Sequence, residues 1–380
     1  MLTGGGCTLD AGTEGRTAVV GSEQIETIDL GEVAILPGLV NAHTHLELSW
    51  MRHQVPPSNS MPAWASRLMS LRGHAADPVS PIADAIREVR AAGTSLVGDV
   101  TNTLAAYDVL GDSELGAAIF REILGFNTPN PEHDVAEAEA QLAALMPRDR
   151  LRTSIVPHAP YSVSPALFRE IARVAGDRPI SVHLGESSDE MQFLRDGTGA
   201  WRELLGQLGA WNDRWQPPGC GPVEYLDRLG LVNGRLLAVH GTQLEDHELA
   251  RLAASGATLA TCPRSNRWTG AGTPPIDRFY ASGVRVTIGT DSLASVADLN
   301  LFAELAELRR VCPGVPAARL LESATIHGAV ALGFGGDHGS IEPGKRAELI
   351  AVRVPHAVDD VEEYLVNGIE PDAIQWLETQ

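Results

Sequence analysis

Short apolar runs alternate with amphipathic segments along most of the chain. The apolar runs have the length of buried strands and are bounded by glycine, proline and polar residues. They cover residues 34–42, 94–101, 116–126, 151–157, 179–184, 235–241, 257–262 and 284–290. Helical spacing of apolar residues is found between them, at Ser80 to Ala92, Val135 to Met146, Pro165 to Ala175, Asp246 to Ser255 and Pro275 to Ser282. This alternation predicts βα units around a parallel sheet.

The number of predicted strands indicates an α/β barrel. Eight strands, each followed by helical material, are the count of a (β/α)8 TIM barrel, and no G-x-G-x-x-G follows a strand as it would in a doubly wound sheet. We predict a catalytic barrel over 37–337. The β-prone segments 1–36 and 338–380 are predicted to form one small β-sandwich-like domain. Ser187 and Glu190 have capping-box spacing, so a helix should open directly after the fifth strand.

Composition and charge exclude several classes of protein. The 380 residues are 44% hydrophobic and 21% charged, and no apolar run approaches the roughly 18 to 20 residues of a membrane span. A formal charge of -20 makes nucleic acid polymers and anionic lipid unfavourable partners. The N-terminus lacks a secretion signal, and the cysteines are few and have no C-x-x-C spacing, so we expect free thiols in a cytoplasmic protein. These cysteines are Cys7, Cys220, Cys262 and Cys312.

Histidines and one aspartate stand at the predicted strand ends. His43 and His45 form H-x-H at the end of the first strand, His183 and His240 end the fifth and sixth, and Asp291 ends the eighth. In a parallel barrel these ends point to one rim, so residues distant in sequence converge there. Imidazole and carboxylate ligands suit Zn²⁺ or Fe²⁺. The sequence therefore predicts a metal site.

Five motifs carry a family resemblance. PGLVNAHTHLE, SVHLGES, AVHG, IGTDSLAS and GSIEPGKRAELI occur in this order between residue 34 and about residue 350. They resemble the metal-dependent amidohydrolase superfamily, within it the branch of deaminases and chlorohydrolases that act on heterocyclic rings. Binuclear members bridge two metals with a carbamylated lysine, or sometimes a glutamate, after the fourth strand. This chain has VPHAPYS there, and its only lysine is Lys345, so the resemblance implies a single metal.

The resemblance also implies a role for each residue of the site. His43, His45, His183 and Asp291 would hold the metal, which lowers the pKa of a bound water towards about 7. Glu186, three residues after His183, would be the acid/base group that protonates the substrate's ring nitrogen. His240 would orient or deprotonate the attacking water, and Asp291 could take its proton. For Glu186, a charge that complements a helix dipole is the alternative.

Further motifs point to a substrate class. CPRSN after the seventh strand, HTHLELS and VHLGESSDEMQFLRDG look like the aminodeoxyfutalosine deaminases of the futalosine route to menaquinone. Their substrate is an adenine nucleoside with a benzoate-like carboxylate, which Arg264, or with less support Arg267, could bind. Ser265 and Asn266 are candidates for hydrogen bonds to the substrate. His158 could line the pocket or make a structural hydrogen bond.

The loop after the first strand overhangs the predicted site. Trp50, Met51, Trp64 and Met69 could form an apolar wall over a nucleobase, or could simply pack the barrel mouth. The alternatives for the reaction are deamination of adenosine, methylthioadenosine, S-adenosylhomocysteine or guanine, and hydrolysis of a ring chloride. A non-catalytic binding scaffold is a further alternative, although it would need none of the ligands. A homodimer is expected from the resemblance.

Overall fold

A computed structural model describes residues 29–73, 77 and 79–377. Its strands, β1 to β11, are Val33–Pro37, Leu39–Thr44, Thr94–Thr101, Gly116–Ile123, Leu151–Pro157, Ile180–Leu184, Leu236–His240, Thr258–Thr261, Arg285–Ile288, Leu349–Arg353 and Ile374–Leu377. Its α-helices, α1 to α15, are Met61–Leu71, Val79–Ala91, Tyr107–Gly111, Pro131–Ala143, Pro165–Ala175, Ser188–Asp196, Ala200–Gln207, Pro222–Arg228, Asp246–Ser255, Pro263–Thr269, Ile276–Ser282, Leu301–Val311, Ala317–Ser323, Ile326–Ala331 and Val361–Leu365. Two 3-10 helices cover Leu46–Met51 and Pro371–Ala373.

Eight parallel strands, β2 to β9, form the predicted barrel. They pair in two runs, β2-β3-β4-β5 and β6-β7-β8-β9. One junction closes where the His183 N–H donates to the His158 carbonyl at 3.0 Å. The other closes where the Asp291 N–H donates to the His43 carbonyl at 3.0 Å. Predicted site residues therefore form the hydrogen bonds that join the two runs of strands at both junctions.

Gly289 allows the close approach of the last barrel strand to the first. A Cβ at this position would lie 2.6 Å from the His43 carbonyl oxygen and 2.8 Å from the His43 Cβ. Because these distances are shorter than van der Waals contact, only a residue without a Cβ atom can occupy position 289. The glycine thus brings Asp291 beside the histidines of β2.

The first predicted strand is two strands. The single run expected over 34–42 breaks at Gly38, where a Cβ would lie 2.5 Å from the Ser95 Cβ. β1 before the break pairs antiparallel with β10, whereas β2 after it pairs parallel with β3. Hydrophobic pattern alone does not show this change of sheet, since both halves are apolar.

The small sheet contains β1, β10 and β11, all antiparallel. Arg90 of α2 lies over the Trp376 ring at 3.2 Å from its centroid, and it also pairs with Glu348 at 3.3 Å. These contacts hold the sheet against the barrel. Within the predicted small domain, the described strands belong to this one sheet, and its residues 1–28 lie outside the described part of the chain.

Two predicted helices, Pro165–Ala175 and Asp246–Ser255, match the structure at both ends. The helix expected from Val135 begins one turn earlier, at Pro131, because the Asn130 side chain caps it by accepting the His133 N–H. Among the described helices, none is long and apolar enough to span a membrane. The described cysteines are free thiols, and Cys7 lies outside the described residues.

Candidate metal centre and active site

The strand ends bring the predicted ligands together at one rim of the barrel. His43, His183 and His240 form one group, and His43, His45 and Asp291 form another, each with ligating atoms within 4.8 Å of one another. Asp291 Oδ1 lies 3.6 Å from His45 Nε2 and 4.0 Å from His43 Nε2. The two groups share His43, so together they make one cluster.

The backbone is strained at two residues of this cluster. His240 and Asp291 have φ values of 77° and 62°, in the left-handed region that residues other than glycine rarely adopt. Such strain costs of order 1–3 kcal/mol and concentrates at functional sites. The ladder bond from the Asp291 N–H to His43 helps to hold the aspartate in this conformation.

The chemistry of the cluster fits a divalent metal ion. His43 is fully buried, and neither of its ring nitrogens has a hydrogen-bond partner among the described residues. Burial lowers the pKa of His43 well below its usual value, and the neighbouring histidines lower it further, so the ring is neutral. A buried polar atom without a partner is costly, and a neutral imidazole nitrogen is the form that binds metal. A cation among these donors removes the cost.

Glu186 lies at the edge of the histidine cluster. Its carboxyl is buried, and Oε2 lies 3.5 Å from His240 Nε2 and accepts no hydrogen bond from a described residue. Burial raises the pKa of Glu186 well above its usual value, and the charges of Asp291 and Glu190 raise it further. A carboxyl of this kind can hold a proton near neutral pH and release it to a bound molecule.

Glu190 clamps the turn that carries Glu186. Ser187 accepts the Glu190 N–H, as the capping box predicts, but the Glu190 carboxylate reaches past the Ser187 backbone. Its two oxygens accept the N–H groups of Gly185 and Glu186, at 2.9 and 3.0 Å. The capping box predicts a hydrogen bond from the Ser187 N–H to the Glu190 carboxylate. Instead, the carboxylate accepts the N–H groups of the two residues that precede Ser187.

We expect Glu190→Gln to lower kcat about tenfold or more with little change in KM or metal content. Glutamine has one acceptor oxygen, so one of the two backbone N–H groups loses its bond, at about 1–3 kcal/mol. Glu248→Gln is the matched control, since Glu248 is equally buried and likewise accepts two backbone N–H groups, from Val223 and Glu245. Steady-state kinetics and chemical denaturation of both variants check this; an equal loss of kcat in both would contradict a positioning role for Glu190.

Ser265 and Asn266, predicted as substrate contacts, hydrogen-bond site residues in the structure. Ser265 Oγ donates to Asp291 Oδ2 at 2.6 Å, and Asn266 Nδ2 donates to His240 Nδ1 at 3.0 Å. Both side chains are fully buried at the start of α10. Partners of this kind orient ligands and fix the histidine tautomer.

Arg264, a predicted substrate contact, is bound by acidic residues of the protein in the structure. Its guanidinium donates to Glu304 at 2.6 Å, to Asp298 at 2.9 Å, and to the carbonyls of Asp298 and Asn300. Glu304 is buried on α12, and a buried carboxylate is costly without a cation beside it. The pair with Glu304 therefore holds the Arg264 guanidinium in this position. Arg267 pairs with Glu307 at 2.7 Å, so both predicted arginines are paired with carboxylates of the protein.

Glu122 was not predicted from the sequence. It ends β4, is buried, and its Oε1 lies 3.5 Å from His183 Nε2 while Oε2 accepts the Asn102 side-chain N–H at 3.0 Å. His158, a predicted pocket residue, joins Glu122 and His183 in a third group of ligating atoms within 4.8 Å and bonds Ser162 Oγ through Nδ1. The available signal was the charged pair Arg121 and Glu122 inside the otherwise apolar run 116–126.

Three residues of the predicted apolar wall, Trp50, Met51 and Trp64, pack in one hydrophobic cluster, whose described members do not include Met69. Trp50 is half-buried beside a cluster that contains Met51 and Trp64, and the loop continues into α1. The loop is tied to α10, because Trp268 Nε1 donates to the Val55 carbonyl at 3.0 Å. The structure therefore shows Trp50 packed against this cluster in the loop after β2.

Comparison with known proteins agrees with this geometry. Residues 34–369 match the model of the amidohydrolase family. An aminodeoxyfutalosine deaminase of Deinococcus radiodurans is 32% identical over 306 residues, 77% of this chain and 72% of that protein. A 5-methylthioadenosine/S-adenosylhomocysteine deaminase of Nitratidesulfovibrio vulgaris is 30% identical over 342 residues, 85% of this chain and 72% of that protein.

A solved structure has the same architecture. The adenosine deaminase of Xanthomonas campestris with bound zinc superposes with a TM-score of 0.76 at 29% identity, and the match covers 90% of this chain and 78% of that one. The barrel, the ligand cluster and these similarities confirm the resemblance inferred from the five motifs. The chain therefore belongs to the amidohydrolase family, and it is a hydrolytic deaminase of that family.

Proposed function

We propose that this enzyme removes the 6-amino group of an adenine nucleoside, with aminodeoxyfutalosine as the substrate and one divalent metal ion, Zn²⁺ or Fe²⁺, as cofactor. The observation that carries the proposal is the buried Glu186 carboxyl beside His240 at the edge of the histidine cluster. The deaminases of Deinococcus radiodurans and Nitratidesulfovibrio vulgaris, both named for adenine nucleosides, support this substrate class.

His43, His45, His183 and Asp291 would hold the metal. When bound, a divalent ion there acidifies water and so supplies a nucleophile at neutral pH. The zinc in the Xanthomonas campestris structure supports Zn²⁺. A single ion is supported by Lys345, the only lysine, which pairs with Ser340 and Glu342 outside the barrel strands.

Glu186 moves the protons of the reaction. Its carboxylate accepts a proton from the attacking water, and the carboxyl then delivers that proton to N1 of the purine. The C6–O bond forms as N1 is protonated; the C6–N bond then breaks, and ammonia leaves with a proton from the added hydroxyl group. The raised pKa of Glu186 favours the protonated form that this delivery requires.

His240 orients the water in this proposal. Since Asn266 Nδ2 can only donate, His240 Nδ1 accepts, and the ring proton lies on Nε2. Nε2 lies 3.1 Å from His183 Nδ1 and 3.5 Å from Glu186 Oε2. In this tautomer the Nε2 proton lies between a proposed metal ligand and Glu186, where it can be donated to the reacting oxygen, which favours orientation of the water over its deprotonation by His240.

A panel of substrates tests the proposal. We expect aminodeoxyfutalosine to give the highest kcat/KM among aminodeoxyfutalosine, S-adenosylhomocysteine, methylthioadenosine, adenosine and guanine, measured by ammonia release, with no chloride released from a chlorinated triazine. The similarity to the Nitratidesulfovibrio vulgaris enzyme makes methylthioadenosine and S-adenosylhomocysteine the second candidates. Turnover of methylthioadenosine without aminodeoxyfutalosine would overturn the preferred substrate.

A further inference from the structure

A carboxylate on the substrate needs a cation near the site, and the sequence-predicted arginines are engaged elsewhere. Arg264 is held by Glu304 and Asp298, and Arg267 by Glu307. The chain carries a net charge of -20, so its general field disfavours an anionic ligand. The binding of such a ligand therefore depends on a local positive charge that the protein's own carboxylates do not neutralise.

Arg72 lies beside the carboxyl end of β3, on the same rim as the metal cluster. It directly follows α1, the helix of the loop over the site, and its side chain is exposed. Its Nη2 donates to Asn102 Oδ1 at 3.0 Å, and the guanidinium forms no ion pair with any described carboxylate. The guanidinium is thus held by one neutral amide, and its remaining N–H groups face no described acid.

A chain of hydrogen-bonded side chains leads from Arg72 to the metal cluster. Asn102, which accepts from Arg72, donates through Nδ2 to Glu122 Oε2 at 3.0 Å. Glu122 Oε1 lies 3.5 Å from Nε2 of the proposed ligand His183. These contacts place the Arg72 guanidinium two side chains away from a proposed metal ligand.

We infer that Arg72 binds the carboxylate of an anionic substituent on the sugar side of the nucleoside, and so selects anionic over neutral adenine nucleosides. This inference rests on the proposed function. With the purine C6 at the metal cluster, the sugar side of the substrate points to the mouth, where α1 ends. The guanidinium fork then pairs with the carboxylate at the exposed end, as arginine does with planar anions.

The variant Arg72→Gln tests this assignment, with Arg67→Gln as the matched control. Arg67 is an exposed arginine of α1, five residues before Arg72, and its side chain forms no hydrogen bond or ion pair with the residues that the structure describes. For Arg72→Gln we expect KM to rise about tenfold for aminodeoxyfutalosine and S-adenosylhomocysteine, which carry carboxylates. For methylthioadenosine and adenosine, which carry none, KM should change by less than about twofold. Arg67→Gln should leave all four values unchanged.

Ionic strength provides a second readout. Because the pair is exposed, added salt screens it, so KM for the anionic nucleosides should rise with salt in the wild type and not in Arg72→Gln. An equal effect of Arg72→Gln on neutral and anionic nucleosides, or wild-type turnover of neutral nucleosides alone, would overturn the inference while the proposed deamination stands. Absence of ammonia release from every adenine nucleoside would instead overturn the proposed function.

Discussion

We expect Glu186→Gln to retain the metal of the wild type and to lower kcat by at least about 10²–10⁴-fold. Glutamine has nearly the shape of glutamate but cannot accept a proton from water or deliver one to the purine. Glu186 is absent from the described groups of ligating atoms, so its change leaves the donors of the metal in place. Elemental analysis and ammonia release measured on the same preparation check both statements.

The control for Glu186→Gln is Glu248→Gln, a buried glutamate that binds backbone N–H groups of another turn. It should keep near wild-type kcat with full metal. Near wild-type turnover by Glu186→Gln would refute its role in proton transfer. If the variant instead lost its metal, Glu186 would have to be reassigned as a ligand.

For Asp291→Ala we expect loss of both metal and turnover. Asp291 is the carboxylate of the ligand cluster, with Oδ1 at 3.6 Å from His45 Nε2 and Oδ2 held by Ser265. Alanine removes the one negative ligand, and the remaining histidines bind a divalent ion more weakly. We expect at least about a hundredfold weaker metal binding, measured by competition with a chelator.

Asp112→Ala is the control for Asp291→Ala. Asp112 pairs with Arg148 and its side chain is 71% exposed, so its removal should change neither metal affinity nor kcat. Retention of one metal per chain by Asp291→Ala, with wild-type affinity, would exclude Asp291 from the ligand set. The contrast with Glu186→Gln separates binding of the metal from movement of protons.

The barrel and the ligand cluster were accessible from the sequence for a physical reason. Parallel strands joined by helical crossovers place their carboxyl ends on one rim, so His43, His183 and Asp291 converge whatever the detailed packing. The break at Gly38 was not accessible, because β1 and β2 are both apolar and differ only in the sheet they join.

Long polar side chains were the least predictable part of the site. Arg264 binds Glu304, 40 positions further along the chain, and Glu122 of β4 approaches His183 of β6 with β5 between them. Local pattern does not encode such partners, because a side chain of this length can reach several elements. Glu190 shows the same limit within one helix turn, since its carboxylate binds Gly185 and Glu186 and not the Ser187 N–H.

The proposed reaction requires one divalent metal ion and Glu186 to act together on an adenine nucleoside. Its most direct test measures ammonia released per nucleoside converted, by protein of known metal content, before and after chelation and reloading. We predict one ammonia and one 6-oxo nucleoside per substrate, activity proportional to metal up to one ion per chain, and loss on chelation that reloading reverses. Protein with one metal per chain that releases no ammonia from any adenine nucleoside would contradict the account.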